Sequence, residues 1–307
     1  MTLRQLRFIC EIVDRELSIS RAAEALHTSQ PSVSRQIQAL EDELGFSIFR
    51  RSRRRLLGIT ARGEDVVRIA RTMHRLSDDL KRMGRDVDAA DSGDLTIAAS
   101  HTHARYSLPD VIERFMQQYP QVKLVLRQGD PSSMADLLSR GEADLLISAK
   151  PVEPRADILF LPCRRVHRII LAPRSHPICA ASRLTLRQLA RYPLITYDKA
   201  YEAHGQVRRA FADAGLEPNI VLTATDIGVM KTYVERGMGL AIVASIAHRP
   251  NEDRAFCVLD AGHLFAPNTV HIGLRRDAYV PSYVYTFIAM FEPALTRAKV
   301  ARAAAAQ

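Results

Sequence analysis

"TSQPSVSRQIQALEDELG", Thr28 to Gly45, is the stretch on which the reading of this 307-residue chain turns. Val33, Ile37, Leu40 and Leu44 recur at the period of a helix and define one buried face. Pro31 falls in the first turn, where its missing N–H costs nothing, and Gly45 supplies a stop. The polar front, Gln30 to Arg35, is left for water or for a partner. Upstream, Leu3, Leu6, Ile9, Ile12 and Val13 share the face of an opening helix. Ser18 or Ser20 can cap a short second one, "SRAAEALH". Helices joined by "HTSQ" and preceded by a longer one form a helix-turn-helix pattern. "FSIF" and the arginine run after it then suit a two-stranded wing.

That run, "RRSRRR" (Arg50–Arg55), holds five arginines in six positions and is the densest point of a basic excess in the first 90 residues. The density attracts a polyanion, although a solvated basic turn has the same composition. From Thr60 the chain changes character. Val66, Ile69, Met73, Leu76, Leu80, Met83 and Val87 alternate at spacings of three and four, an unbroken heptad seam. An isolated helix would expose this stripe, so a dimer is expected; packing on the same chain is the alternative. "DAADSGD" reads as a linker.

Beyond it, short β-like runs alternate with helical ones. "DLTIAAS" precedes "YSLPDVIERFMQQYP", "VKLVLRQGD" precedes "SSMADLLSRGEA", and "IVLTATD" precedes "VMKTYVERGMG". This pattern implies α/β architecture with parallel sheets, more naturally two lobes than one at this length, with a ligand where strand ends meet helix starts.

The composition excludes several classes. No run of 18 apolar residues exists, and "GLAIVASIA" (Gly239–Ala247) suits a buried strand. The charged N-terminus lacks a signal-peptide core, so a cytoplasmic protein is expected. Cys10, Cys163, Cys179 and Cys257 are scattered and read as reduced, buried thiols. There is no G-x-G-x-x-G, Walker sequence or nucleophile elbow, and the "HTH" histidines, His101 and His103, lack a nearby third ligand. No cofactor, metal site or enzymatic activity is expected. An enzyme acting on a small anion is the rival class, and a nonspecific architectural DNA protein would leave the α/β module without a role.

"AAEALHTSQPSVSRQIQALEDELGFSIFRR", followed by "LLGITARGE", resembles the LysR-type transcriptional regulators. "SHTHARYSLPDVIERFMQQYPQVKLVLRQGDP" and "TATDIGVMKTYVERGMGLAIVAS" are similar to the CysB-like branch, whose members control sulfur assimilation and sulfonate-use genes. The resemblance implies a winged helix-turn-helix over 1–60, a dimerising linker helix over 61–92, and an effector domain over 93–307. Its two lobes are expected at about 93–162 with 268–307, and at about 163–267, resembling periplasmic binding proteins. It also implies a homotetramer, a dimer of dimers, on double-stranded promoter DNA, with RNA polymerase as a possible further partner and no membrane contact.

Residue by residue, the resemblance assigns base or near-base contacts to Gln30, Pro31, Ser34 and Arg35. The chemistry fits: glutamine pairs with adenine, arginine with guanine, and a proline ring touches a thymine methyl. Thr28 and Ser32 could hold phosphate, Ser32 equally serving as a cap-region hydroxyl. Arg51, Arg53 and Arg54 resemble wing arginines.

In the effector domain the turn "SHTHAR" would take an anion through Ser100 and Thr102, unless these only cap a helix. His103, Lys150, Val166 and Glu202 stand where the branch has glutamine, glutamate, tryptophan and threonine. Gln128, Ser132 and Ser133 could complete the pocket, a surface turn being the plainer role. A lysine in place of glutamate reverses a charge and should change the preferred ligand. Sulfate, thiosulfate, an organosulfur compound or an acetylserine-like molecule are the expected effectors. A LysR-type regulator of another pathway, with an unrelated effector, is the alternative.

Overall fold

The computed structural model describes residues 1–52, 55–88, 92–149 and 155–305. It comprises two compact units, Met1–Arg85 and Asp86–Gln307.

In the first unit, helix α1 (Leu3–Asp14) starts on a reciprocal capping box between Thr2 and Gln5. Ser18 caps α2 (Ile19–Ala25), and Ser29 caps α3 (Gln30–Leu44), whose Pro31 sits in the first turn. Gly45 closes α3 at φ +75°, a left-handed conformation that side chains rarely adopt. Val33, Ile37 and Leu40 pack on Leu6, Ile9 and Ile12 of α1 and on Ala22 and Ala23 of α2 in one core. Strands β1 (Phe49–Ser52) and β2 (Arg55–Ile59) pair antiparallel as the wing. Helix α4 (Ala61–Asp88) follows. Its Val67 and Ala70 join the core, whereas Ile69, Leu76, Leu80 and Met83 are exposed on this chain.

The second unit contains two five-stranded sheets. One orders β4 (Gln121–Gln128), β3 (Ser92–Ala99), β5 (Leu145–Ser148), β12 (Asn268–Arg275) and β6 (Ile158–Val166). The other orders β11 (Phe256–Asp260), β7 (Arg168–Pro173), β10 (Leu240–Ala244), β8 (Leu194–Tyr197) and β9 (Ile220–Ala224). Strands β3, β4 and β5 are mutually parallel, as are β8, β9 and β10, while β12 and β7 run antiparallel to their neighbours. The chain passes between sheets at His167, between Val166 of β6 and Arg168 of β7, and returns before Asn268. Each sheet buries a continuous apolar layer; β10, inside "GLAIVASIA", is buried at every position. On the first sheet, α6 (Pro109–Gln118) meets α11 (Ser282–Phe291), with Phe115 edge-on to Phe287 at 5.2 Å. Among the described residues no helix is long and apolar enough to cross a membrane, and all four cysteines are free and half-buried.

Candidate DNA interface and effector cavity

At the front of α3, Gln30, Pro31 and Arg35 are exposed, and Thr28, Ser32 and Ser34 are half-buried. The helix cap is Ser29, whose hydroxyl accepts from Ser32 N–H at 3.4 Å, leaving the Ser32 hydroxyl out of the capping bond. Gln30, Pro31 and Ser34 share an open cleft with Ile19 and with Arg51, Arg55 and Leu56 of the wing. The fold thus brings the polar helix front and the wing's Arg51 and Arg55 to one basic groove, although they are distant from Gln30 in sequence. Glu41 holds this arrangement. Its buried carboxylate accepts from Ile48 N–H at 2.7 Å, from Phe49 N–H at 3.1 Å and from the Arg51 guanidinium at 2.6 Å. Arg51 is therefore part-engaged by the protein, while Arg55 is exposed. Arg53 and Arg54 lie outside the described residues.

The second site lies between the sheets of the larger unit. Ser100 follows β3 and opens α5 (His101–Tyr106), carrying Thr102 and His103 into a cavity of about 50 Å³ of free volume. Ser148, Val166, Asn268 and Thr269 line it from the first lobe, and Arg168, Tyr197, Tyr201 and Ala203 from the second. The Tyr197 hydroxyl accepts from Ala244 N–H at 3.1 Å, and the Tyr201 hydroxyl donates to the Gly129 carbonyl at 3.4 Å, so Tyr201 ties the lobes together.

The electrostatics of this cavity are dominated by Arg168, only 2% exposed. Its Nη2 donates to Gln206 Oε1 at 3.5 Å and its guanidinium lies 5.4 Å from the Tyr197 ring centre. Its Nε has no partner, and among the described residues no carboxylate reaches ion-pair distance. Burial pushes its pKa down, opposed by Tyr197 and by the Glu202 carboxylate. A buried cation without a counter-charge is costly, by several kcal/mol in order of magnitude, and an anionic ligand relieves that cost. Ser148 Oγ and Asn268 Oδ1 are also buried without partners.

His103 pairs through Nδ1 with the Ser107 hydroxyl at 3.1 Å. Burial foremost, and then the Arg164 charge, lower its pKa to about 4. A neutral imidazole offers one donor and one acceptor, much like the amide usual in the resembled branch.

The other expected effector residues are placed as follows. Gln128, Ser132 and Ser133 are not among the residues lining the cavity. Ser132 and Ser133 give their N–H groups to Asp130, which caps α7 (Pro131–Arg140), and the Ser133 hydroxyl donates to the same carboxylate at 2.6 Å. Here "RQGDPSS" is a helix start. Glu202, exposed, opens α9 (Glu202–Asp213) between the lining residues Tyr201 and Ala203. Lys150 lies outside the described residues. Sequence reading missed Arg168, Tyr197, Tyr201, Ser148, Asn268 and Thr269. The only local signal was Arg168 itself, a charge opening the apolar strand "RIILA".

Residues 3–64 match the model of the bacterial regulatory helix-turn-helix protein, lysR family, and residues 88–296 match the LysR substrate binding domain. The chain is 42% identical over 301 residues to the HTH-type transcriptional regulator SsuR of Burkholderia cenocepacia, spanning 98% of each chain. It is 42% identical over 303 residues to the HTH-type transcriptional regulator CysB of the same organism, spanning 99% of this chain and 97% of that one. The crystal structure of the cofactor-binding domain of the Cbl transcriptional regulator superposes with a TM-score of 0.67 at 39% identity, covering 70% of this chain and 95% of that one.

Proposed function

The chain belongs to the LysR family of bacterial helix-turn-helix regulators, and on that premise we propose that it is a ligand-responsive transcriptional regulator of sulfur assimilation or sulfonate-use genes. The effector is a small anion held between the lobes. The observation that carries this is Arg168, a buried cation facing a cavity whose other walls offer the hydroxyls of Ser100, Thr102 and Ser148. Whole-length similarity to regulators named SsuR and CysB supports the sulfur assignment.

Gln30, Pro31, Ser34 and Arg35 read base edges in the major groove, and the wing arginines hold the backbone or enter the minor groove. The exposed apolar stripe of α4 joins two chains, and two such dimers assemble on a promoter in the cytoplasm, acting there on RNA polymerase. Ligand shifts the population between lobe arrangements only so far as it binds one more tightly. The Tyr201–Gly129 bond is the contact through which an anion at Arg168 favours one arrangement. The protein performs no turnover in this reading.

Thermal unfolding of the full chain with sulfate, thiosulfate, acetylserine or a simple alkanesulfonate tests the proposal. At least one should raise Tm, reaching about 2.7 kcal/mol of stabilisation at a hundredfold excess over Kd. Arg168→Met should retain the fold and abolish that shift. Stabilisation by sulfur-free carboxylates alone would favour a regulator of another pathway. No shift with any anion would sink the anion reading.

A further inference from the structure

We propose that the effector is a small zwitterion, an aminoalkanesulfonate or a compact amino acid, and that Glu202 selects its ammonium end. This rests on the anion pocket proposed above. Arg168 accounts for one end of such a ligand, and the features around it call for the other.

Glu202 lies one helical turn before Gln206, on the same face of α9, and Gln206 Oε1 accepts directly from Arg168. Its neighbours Tyr201 and Ala203 both line the cavity, whereas Glu202 itself is exposed outside that lining; its charge acts on the guanidinium without ion-pairing to it. A cation inside and an acid at the rim form a fixed dipole, complementary to a ligand that carries its anion inward and its cation outward. A simple inorganic anion uses the first charge and is repelled by the second. The free volume of about 50 Å³ limits the ligand to a few heavy atoms inside the cleft, with the ammonium at the rim beside the Tyr201 ring.

Calorimetric titration of the full chain with 2-aminoethanesulfonate, ethanesulfonate and sulfate decides the matter, in wild type and in Glu202→Gln. The two sulfonates share an anionic head and a two-carbon stem and differ by the ammonium. The aminosulfonate should bind about fivefold or more tightly in the wild type, the range of a partly exposed ion pair. Glu202→Gln should remove that preference while leaving ethanesulfonate affinity equal or improved. A helix-terminus role for Glu202 alone would instead lower both affinities together. Equal binding of the two sulfonates by wild type, or a preference that survives in Glu202→Gln, overturns the zwitterion assignment and leaves the anion pocket standing. Failure of all three probes to bind overturns the pocket as well.

Discussion

The carboxylate of Glu41 on α3 lies 2.6 Å from the Arg51 guanidinium on the wing, and it also takes the N–H groups of Ile48 and Phe49. One buried acid, 6% exposed, thereby sets where the wing leaves the helix. Arg51 consequently has a structural partner in addition to its expected role at the phosphate backbone.

Glu41→Gln turns one accepting oxygen into a donor facing donors. Full-chain unfolding in urea should show a loss of about 2 kcal/mol, with weaker binding to all DNA sequences. An unchanged midpoint would mean that the wing is held by its apolar contacts alone.

Gln30→Ala and Arg55→Ala should fail in different ways. The first should relax preference at particular base pairs. The second should weaken all sequences alike and reduce the slope of log K against log salt by about one. Binding to promoter and random DNA across a salt series reads both. Uniform losses from Gln30→Ala would count against direct readout.

Leu80 is 69% exposed on the α4 stripe with Ile69, Leu76 and Met83. Leu80→Glu places a charge in the proposed seam and should lower the molecular mass measured by light scattering at micromolar concentration, together with DNA affinity. Assembly identical to wild type would show that this stripe is not the interface.

His103 is held neutral in the fold, its pKa lowered by burial from 6.5 to about 4. The unfolded ring accepts a proton that the native ring refuses. Stability is therefore complete above about pH 6.5 and falls towards pH 4 at about 1.4 kcal/mol per pH unit. His103→Gln should flatten that limb of the profile. A slope unchanged by this substitution would assign the acid sensitivity to other groups.

How much of this was legible in the sequence differs from site to site. "TSQPSVSRQIQALEDELG" determined α3 from end to end, because period, first-turn proline and terminal glycine are local features that any context respects. The apolar stripe of α4, exposed at Ile69, Leu76, Leu80 and Met83 and packed on its own chain at Val66 and Met73, and the alternation behind both five-stranded sheets were equally readable, since apolar periodicity reports which face must leave water. Ser100, Thr102, His103 and Val166 were placed at the cavity by resemblance, and all four line it. "RQGDPSS" was open to two readings because Asp, Ser and Pro serve helix capping and ligand binding with the same atoms, and the structure shows the capping geometry around Asp130.

The tertiary structure alone decided the charges. Glu41 and Arg168 are ordinary ionisable residues in the sequence, and only the apolar run "RIILA" that Arg168 opens hints that either is buried. Glu41 gains its backbone partners only when the chain turns back from Gly45 into the wing. Arg168 becomes a buried cation without a carboxylate partner among the described residues only when strands from both lobes meet around it. Burial and pairing are sums over residues distant along the chain, whereas hydrophobic periodicity is written within a few turns. For that reason the helices, the lobes and the exposed polar front of α3 were readable in advance, and the buried charge proposed to meet the effector was not.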